Sequence, residues 1–394
     1  MRYMKEILKT EIDEEYLVKL TSDMIRIESH PDIPCQETKV AQYIKSVFDE
    51  HGIDCYLKEI EDGRCNVIAC LDSGNPGKTI MLNGHTDTVR AIGMEDAFVP
   101  RVEDGKLYGR GASDMKGPIA SIIMAMIALK KTGLLKKGKV IFTGVLDEEQ
   151  KSIGTIDIIE SGITADAAVV CEPTMKKIMT GNRGLEWFKF HFIGRQVHGG
   201  TQANGVNAIS KAVKFINVLE ETLIPDVSSR GGTVNYGIIH GGTQLSTVAG
   251  TCDLYVDRRF TKQETYEDVV QEFKNLIDKL SEEDPDFKCE MSVQDVSLMK
   301  EGYIHPPMEI DANDPFVQML KKAADSVLEF ETEFSFMPAW TDAALLECYG
   351  KIPSVLFGPG VIECCHSLNE YIPIVDLSEA ALIYALLAID FCSC

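Results

Sequence analysis

The chain has 394 residues, of which 45% are hydrophobic and 25% are charged, as is typical of a globular protein with about two domains. Its formal net charge of −22 argues against nucleic acids and anionic membrane surfaces as partners, because both require a basic face. We attribute the acidic excess to solubility.

The sequence offers no evidence of export or membrane insertion. No segment approaches the length of a membrane span, and residues 1–20 lack the continuous apolar stretch of a signal peptide. Twelve cysteines are scattered along the chain without a C-x-x-C pair, which favours free thiols in a reducing compartment. We therefore expect a cytoplasmic protein.

Hydrophobic periodicity predicts alternating helices and strands over the first 170 residues. The expected elements are helices over 12–26 and 36–50, strands over 54–60, 66–71 and 79–83, a hairpin over 98–108, a helix over 118–131, and strands over 139–146 and 165–170. Strands that alternate with helices favour an α/β fold, with a mostly parallel sheet covered by helices on both faces. Ligands of such sheets bind beyond the carboxyl ends of the strands.

The pattern changes after about Gly181. The predicted order is strand 185–194, helix 207–219, strands 233–239 and 251–258, helix 264–280 and strand 287–296. This βαββαβ order is that of an α+β ferredoxin-like domain. A helix over 315–328, a strand over 353–357 and a helix over 377–391 then resume the first pattern. We predict a domain formed by residues 1–181 and 303–394, with residues 182–302 inserted into it.

Histidines and carboxylates follow the buried strands of the first domain. In His85-Thr86-Asp87, the alternation of an extended backbone places both side chains on one side, so Asp87 can orient the imidazole of His85. The other candidates are Asp114 in a glycine-rich turn before a helix, Glu148 and Glu149 after strand 139–146, Glu172 after strand 165–170, and His366 after strand 353–357. This shared placement predicts that they converge on one cleft.

Five of these residues form a candidate metal site. They are His85, Asp114, Glu149, Glu172 and His366. Imidazole and carboxylate donors suit zinc, and also manganese, cobalt or iron. Because the set exceeds what one tetrahedral ion needs, two ions that share a carboxylate fit better. Paired ions about 3.5–4 Å apart polarise a carbonyl and lower the pKa of a water between them.

The set of motifs resembles a known family, the dinuclear-zinc metallopeptidases that include acetylornithine deacetylase, succinyl-diaminopimelate desuccinylase, aminoacylase and glutamate carboxypeptidase. The matching stretches are Gly84-His85-Thr86-Asp87-Thr88-Val89, Gly109-Arg110-Gly111-Ala112-Ser113-Asp114-Met115-Lys116-Gly117, Asp147-Glu148-Glu149, Cys171-Glu172-Pro173-Thr174, and Gly358-Pro359-Gly360 with His366 and Asn369-Glu370. They span nearly the whole chain in order, which makes the resemblance specific as a set.

The resemblance implies a role for each residue of the site. One ion would be held by His85 and Glu172, and the other by Glu149 and His366. Asp114 would bridge the two ions. Glu148 would be the general base that takes a proton from the attacking water and passes it to the leaving amine.

The resemblance also implies that the inserted domain is a lid and a dimerisation surface. His198 would donate a hydrogen bond to the developing oxyanion, and Arg259 would bind a substrate carboxylate. Gly360 would contribute to substrate binding as well. The family often has an asparagine where this chain has Ser246, and a proline where it has Ala249. Because a hydroxyl cannot make both hydrogen bonds of an amide, recognition of a carboxylate here could differ.

The predicted activity is metal-dependent hydrolysis of the amide bond of an N-acyl amino acid or short peptide by a homodimer. A dipeptidase, an aminopeptidase or a hydrolase of carbamoyl groups remains an alternative on the same scaffold. A protein that binds metal or amino acids without catalysis is less favoured, because the general base and every ligand are present.

Overall fold

The structure is a computed structural model that describes residues 2–294 and 299–394. Its α-helices are α1 (Arg2–Glu11), α2 (Glu14–Arg26), α3 (Thr38–Glu50), α4 (Gly117–Thr132), α5 (Ile153–Glu160), α6 (Ala208–Val218), α7 (Ile224–Ser229), α8 (Tyr266–Glu283), α9 (Pro315–Val327), α10 (Ala343–Cys348) and α11 (Ile374–Cys392). Its strands are β1 (Asp54–Glu61), β2 (Arg64–Asp72), β3 (Thr79–His85), β4 (Arg101–Glu103), β5 (Lys106–Tyr108), β6 (Lys139–Val145), β7 (Ala167–Val170), β8 (Ile178–Asn182), β9 (Gly184–Ile193), β10 (Thr233–Gly241), β11 (Thr251–Phe260), β12 (Cys289–Val293), β13 (Met308–Glu309), β14 (Phe334–Met337), β15 (Ser354–Leu356) and β16 (Tyr371–Pro373).

The chain divides into two compact units. The discontinuous unit consists of residues 1–181 and 309–394, and the inserted unit consists of residues 182–308. The second boundary therefore lies after residue 308 and not after residue 302 as predicted. The reason is a backbone contact that sequence periodicity does not reveal: the N–H of Leu185 donates to the carbonyl of His305 at 3.1 Å, which joins this stretch to the inserted unit.

The discontinuous unit is built on one large sheet flanked by helices, so the predicted α/β class is confirmed. The strand order is β1-β2-β6-β3-β7-β15-β8-β13, and β14 pairs with β8. The four central strands, β6, β3, β7 and β15, are parallel to one another. The sheet is mixed and not mostly parallel, because the β1–β2 hairpin joins β6 in antiparallel register and β8 pairs antiparallel with β15.

Helices α4 and α11 are long apolar helices of this unit, and most of their residues are buried. The stretch Ala112–Thr132, which includes α4, is long and apolar enough to cross a membrane, contrary to the expectation that no segment approaches such a length. Because 94% of its most apolar 18-residue segment is buried inside the protein, this stretch fits a core helix. Length and composition alone are weak evidence for a membrane span.

The inserted unit has a four-stranded antiparallel sheet with the order β10-β11-β9-β12. Together with the chain order βαββαβ, this gives the strand arrangement of a ferredoxin-like fold. Alternate residues of β9 are buried, and Phe190 packs against Phe215 and Phe273 with ring centroids 4.8 and 5.1 Å apart. The predicted last strand over 287–296 is shorter in the structure, and its final two residues lie outside the described residues.

Candidate active site

The central parallel strands bring the candidate residues of the discontinuous unit together. His85 is the last residue of β3, while Glu148 and Glu149 follow β6, Glu172 follows β7, and His366 comes after β15. These strands are adjacent in the order β6-β3-β7-β15, so their carboxyl ends lie at one edge of the sheet. These side chains therefore lie after the carboxyl ends of adjacent strands, as the sequence pattern predicts.

Asp114 lies between the two histidines. Its Oδ1 is 3.0 Å from Nε2 of His85, and its Oδ2 is 3.2 Å from Nε2 of His366. The same nitrogen of His366 is 3.2 Å from Oε1 of Glu149. Ligand atoms of His85, Asp114 and Glu149 all lie within 4.8 Å of one another, as a metal site requires. Glu148 and Glu172 line the same pocket.

The segment that carries Asp114 is fixed by a carboxylate to which the sequence analysis gave no role. Oε1 of Glu370 accepts hydrogen bonds from the backbone N–H groups of Ser113 and Asp114, both at 3.0 Å. Its Oε2 accepts from Arg110 at 2.6 Å, and Glu370 is fully buried. Gly360 packs against this segment, because a Cβ added at Gly360 would lie 2.8 Å from Oγ of Ser113. These contacts position the carboxylate of Asp114.

The turn that carries Glu148 and Glu149 is held from two sides. Asp87 accepts hydrogen bonds from the backbone N–H groups of Glu148 and Glu149 at 3.2 and 3.0 Å, and it also lies 3.4 Å from Nδ1 of His85. On the other side, Arg64 donates to Asp147 at 2.8 Å. A second partner of Arg64 is Glu37, whose side chain is fully buried.

The contact of Asp87 with His85 is predicted from the sequence. Its hydrogen bonds to the backbone of this turn, and the roles of Arg64 and Glu37, are not. An arginine and a glutamate far apart in the sequence give no local signal of such a contact.

Burial and mutual repulsion shape the charge of the site. Burial, followed by repulsion from Asp114, raises the pKa of Glu172 to about 8, and burial also raises the pKa of Glu148 and of Glu149. Hydrogen bonds that His366 donates to Asp114 and Glu149 raise the pKa of His366 to about 10. Burying an uncompensated carboxylate costs several kcal/mol, so this donor set favours a bound cation. The residues therefore fit a divalent metal.

The raised pKa values predict that protein stripped of metal becomes less stable as the pH rises from 5 to 8. Between its ordinary pKa of 4.5 and its raised pKa of about 8, Glu172 holds a proton in the folded state that the unfolded state has released. The raised pKa of His366 acts in the same direction above pH 6.5. Because a divalent cation replaces these protons, we expect zinc to raise the Tm more at pH 8 than at pH 5.

Thermal unfolding with and without zinc at the two pH values measures this effect. The variant Glu172→Gln is the control, since it removes a carboxylate and should flatten the pH dependence of the metal-free protein. An equal zinc-induced shift in Tm at pH 5 and pH 8 would show that the site carries no such excess of negative charge.

The remaining predicted residues lie in the inserted unit. His198 is exposed, and its Nδ1 accepts a hydrogen bond from the N–H of Gly200 at 3.1 Å. Ser246 lies beside it, since its carbonyl accepts from the N–H of Gly199 at 2.7 Å. Arg259 forms a two-point ion pair with Asp257, in which Nε and Nη2 donate at 2.8 and 2.9 Å. The structure therefore places His198 and Ser246 together, and Arg259 on strand β11.

The neighbouring Arg258 is fully buried and pairs with Glu264 and Glu272. Because Glu264 and Glu272 already occupy the guanidinium of Arg258, Arg259 remains the better candidate for binding substrate.

Comparisons with known proteins agree with this geometry. The model of peptidase family M20/M25/M40 matches residues 81–390. An N-formyl-4-amino-5-aminomethyl-2-methylpyrimidine deformylase from Halalkalibacterium halodurans is 29% identical over 396 residues, covering 93% of this chain and 92% of the relative.

Two solved structures share the fold. An aminopeptidase from Bacillus cereus has a TM-score of 0.81 at 21% identity, with 97% of this chain and 99% of that chain covered. A dinuclear metal binding peptidase of the M20 family from Bacillus subtilis has a TM-score of 0.72 at 18% identity, with 96% and 98% covered.

These findings confirm the family resemblance and the predicted enzyme class. The matched residues include every candidate ligand in the discontinuous unit, from His85 to His366. This chain belongs to peptidase family M20/M25/M40 and is a hydrolase of amide or peptide bonds.

Proposed function

We propose that this hydrolase cleaves the amide bond of a small N-acyl amino acid or short peptide with the help of two divalent ions, zinc being the expected metal. The observation that carries the proposal is the position of Asp114, whose two carboxylate oxygens face different histidines, His85 and His366. A carboxylate in this position can offer one oxygen to each of two neighbouring ions.

In this proposal, His85 and Glu172 would hold one ion, Glu149 and His366 would hold the other, and Asp114 would offer a carboxylate oxygen to each. When bound, the ions polarise the amide carbonyl and lower the pKa of the attacking water. Glu148 takes the proton from that water and delivers it to the leaving nitrogen. Its neighbour Glu149 can face the metal while Glu148 faces the water, since Asp87 fixes the backbone N–H groups of both.

His198 is proposed as the donor to the oxyanion that develops on the substrate. Its Nδ1 accepts the N–H of Gly200, which leaves the proton of the neutral imidazole on Nε2. Nε2 can then donate to the oxyanion, as in other oxyanion holes. The inserted unit would have to act as a lid that closes over the substrate, so the chemistry would be coupled to a conformational step.

Arg259 is proposed to bind a substrate carboxylate, and Ser246 and Gly360 are proposed as further substrate-binding residues. Asp257 accepts hydrogen bonds from the Nε–Nη2 edge of the guanidinium. The Nη1–Nη2 edge is the other edge that can bind a carboxylate with two hydrogen bonds, and it is the edge proposed to bind the substrate.

We expect Arg259→Ala to raise KM about tenfold for substrates with a carboxylate while kcat changes little, because the lost contact is made equally in the ground state and the transition state. Steady-state kinetics with an N-acyl amino acid and its amide derivative test this effect. An equal rise in KM for both substrates would exclude Arg259 as the group that binds the substrate carboxylate.

A homodimer formed through the inserted unit is part of the proposal. Strand β10 is at an edge of the four-stranded sheet, and its residues Ile238 and Ile239 are about half exposed. An edge strand with exposed apolar side chains favours pairing with a second copy. A cytoplasmic location is supported by the twelve cysteines, all of which lie in the described residues and are free.

Metal stoichiometry tests the two-ion site without reference to activity. Protein stripped with a chelator and reloaded with zinc should bind two ions per chain, and Asp114→Asn should lose most of both. Binding of only one ion by the unaltered protein would contradict the two-ion site. Binding of two ions by the Asp114→Asn variant would contradict the proposed bridging role of Asp114. The variant Asp157→Asn, at a surface ion pair with Lys58, serves as a control.

A further inference from the structure

The pocket that is lined by Asp114, Glu148, Glu149, Glu172 and His366 also has a largely apolar wall. Besides the site residues, this wall includes Pro173, Met337, Trp340, Thr341, Ile362 and Cys365. Trp340 and Met337 are almost entirely buried, so their side chains are held in place by packing. The wall belongs to the discontinuous unit, and it extends beyond what the ions and the attacking water need.

The size of the pocket limits what it can receive. Its volume is about 240 Å³. An apolar cavity of about 150 Å³ is enough to bind benzene, so a scissile amide and one ring or branched aliphatic group fill a pocket of this size. The pocket therefore holds only the part of a substrate that lies around the scissile bond.

The charge of the pocket disfavours a further anionic group on the substrate. Its carboxylates are Asp114, Glu149, Glu172 and Glu148, and two divalent ions would neutralise these four negative charges without surplus. Among the described residues, no lysine or arginine lines the pocket. A second carboxylate at the end of the bound group would therefore be desolvated beside acidic side chains without a partner, which is costly.

We propose that this pocket binds an uncharged apolar substituent of the substrate, an aromatic ring or a branched aliphatic group, adjacent to the scissile amide and packed against Trp340. This inference rests on the proposed function and narrows its substrate class. Trp340 offers a large, rigid apolar surface, and aromatic pairs favour offset-stacked or edge-to-face contact. The carboxylate that Arg259 would bind is a separate group of the substrate.

Two matched substrate pairs test the proposal on the zinc-loaded enzyme. The first pair varies the acyl group, N-benzoylglycine against N-succinylglycine, and the second varies the amino acid, N-acetylphenylalanine against N-acetylaspartate. We expect kcat/KM to favour the apolar member at least tenfold in one or both pairs. Equal values in both pairs, or a preference for the charged member, would overturn the assignment of the pocket.

Variants of Trp340 test the wall itself. Trp340→Ala should raise KM for the preferred apolar substrate about tenfold and leave the charged member unaffected, whereas Trp340→Phe should retain most of the preference. Phe336→Ala is the matched control, because Phe336 is partly exposed and does not line the pocket. If Trp340→Ala does not fold, the substrate pairs and Trp340→Phe still decide the question.

Failure of this inference is distinguishable from failure of the proposed function. Equal hydrolysis of apolar and charged substrates contradicts the pocket assignment alone. No hydrolysis of any member by protein that holds two zinc ions contradicts the proposed function, and the pocket assignment with it.

Discussion

Replacing Glu148 with alanine is expected to lower kcat by up to about 10⁴-fold, the upper range for loss of a general base, while the protein still binds two metal ions. The reason is the division of roles between neighbouring residues. Oε1 of Glu149 lies 3.2 Å from Nε2 of His366, and Glu149 is one of three residues whose ligand atoms lie within 4.8 Å of one another, whereas Glu148 lines the same pocket at the position that the family resemblance gives to the general base. Rates and metal content of the same preparation should be measured together.

The matched control is Glu149→Ala, which changes the adjacent carboxylate. It should lose one ion and activity together, whereas Glu148→Ala loses activity alone. If Glu148→Ala releases metal, Glu148 is a ligand and the assignment of the general base is wrong.

The second large effect is expected for His198→Ala. Loss of one oxyanion donor commonly lowers kcat by about 10²–10³-fold. KM should change little, since the hydrogen bond forms fully only in the transition state. The variant also removes the acceptor of the Gly200 N–H, so its Tm should be measured together with its kinetics.

His191→Ala is the control for this variant, because His191 is a partly buried histidine of the same unit that pairs with Asp253. Its kcat should equal that of the unaltered enzyme. An unchanged kcat in His198→Ala would remove His198 from the mechanism.

Much of the fold could be predicted because long amphipathic segments carry strong periodicity. The helices over 36–50 and 315–328 correspond to α3 and α9, and the buried strand over 79–83 corresponds to β3. Short elements were missed, among them α5, α10 and β14, since four to eight residues give too little periodicity. The antiparallel edges of the large sheet also depend on pairing that no local pattern encodes.

The candidate site could be predicted where a residue follows a buried strand or belongs to a family motif. Asp114 does not follow a strand, and its position depends on hydrogen bonds from its backbone to Glu370, 256 residues away in the chain. Arg64 and Trp340 were not predicted for the same reason, as tertiary contacts alone bring them to the site. The side chains that cluster at the site could therefore be predicted better than the residues that position them.

The most direct test of the proposed activity is hydrolysis of a panel of N-acetyl, N-succinyl and N-formyl amines, amino acids and dipeptides by chelator-stripped protein, before and after zinc is restored. We predict that the stripped protein is inactive and that zinc restores amine release from at least one substrate class, with two ions bound per chain. Hydrolysis without metal, or failure to bind metal at the cluster of His85, Asp114 and Glu149, would contradict the account.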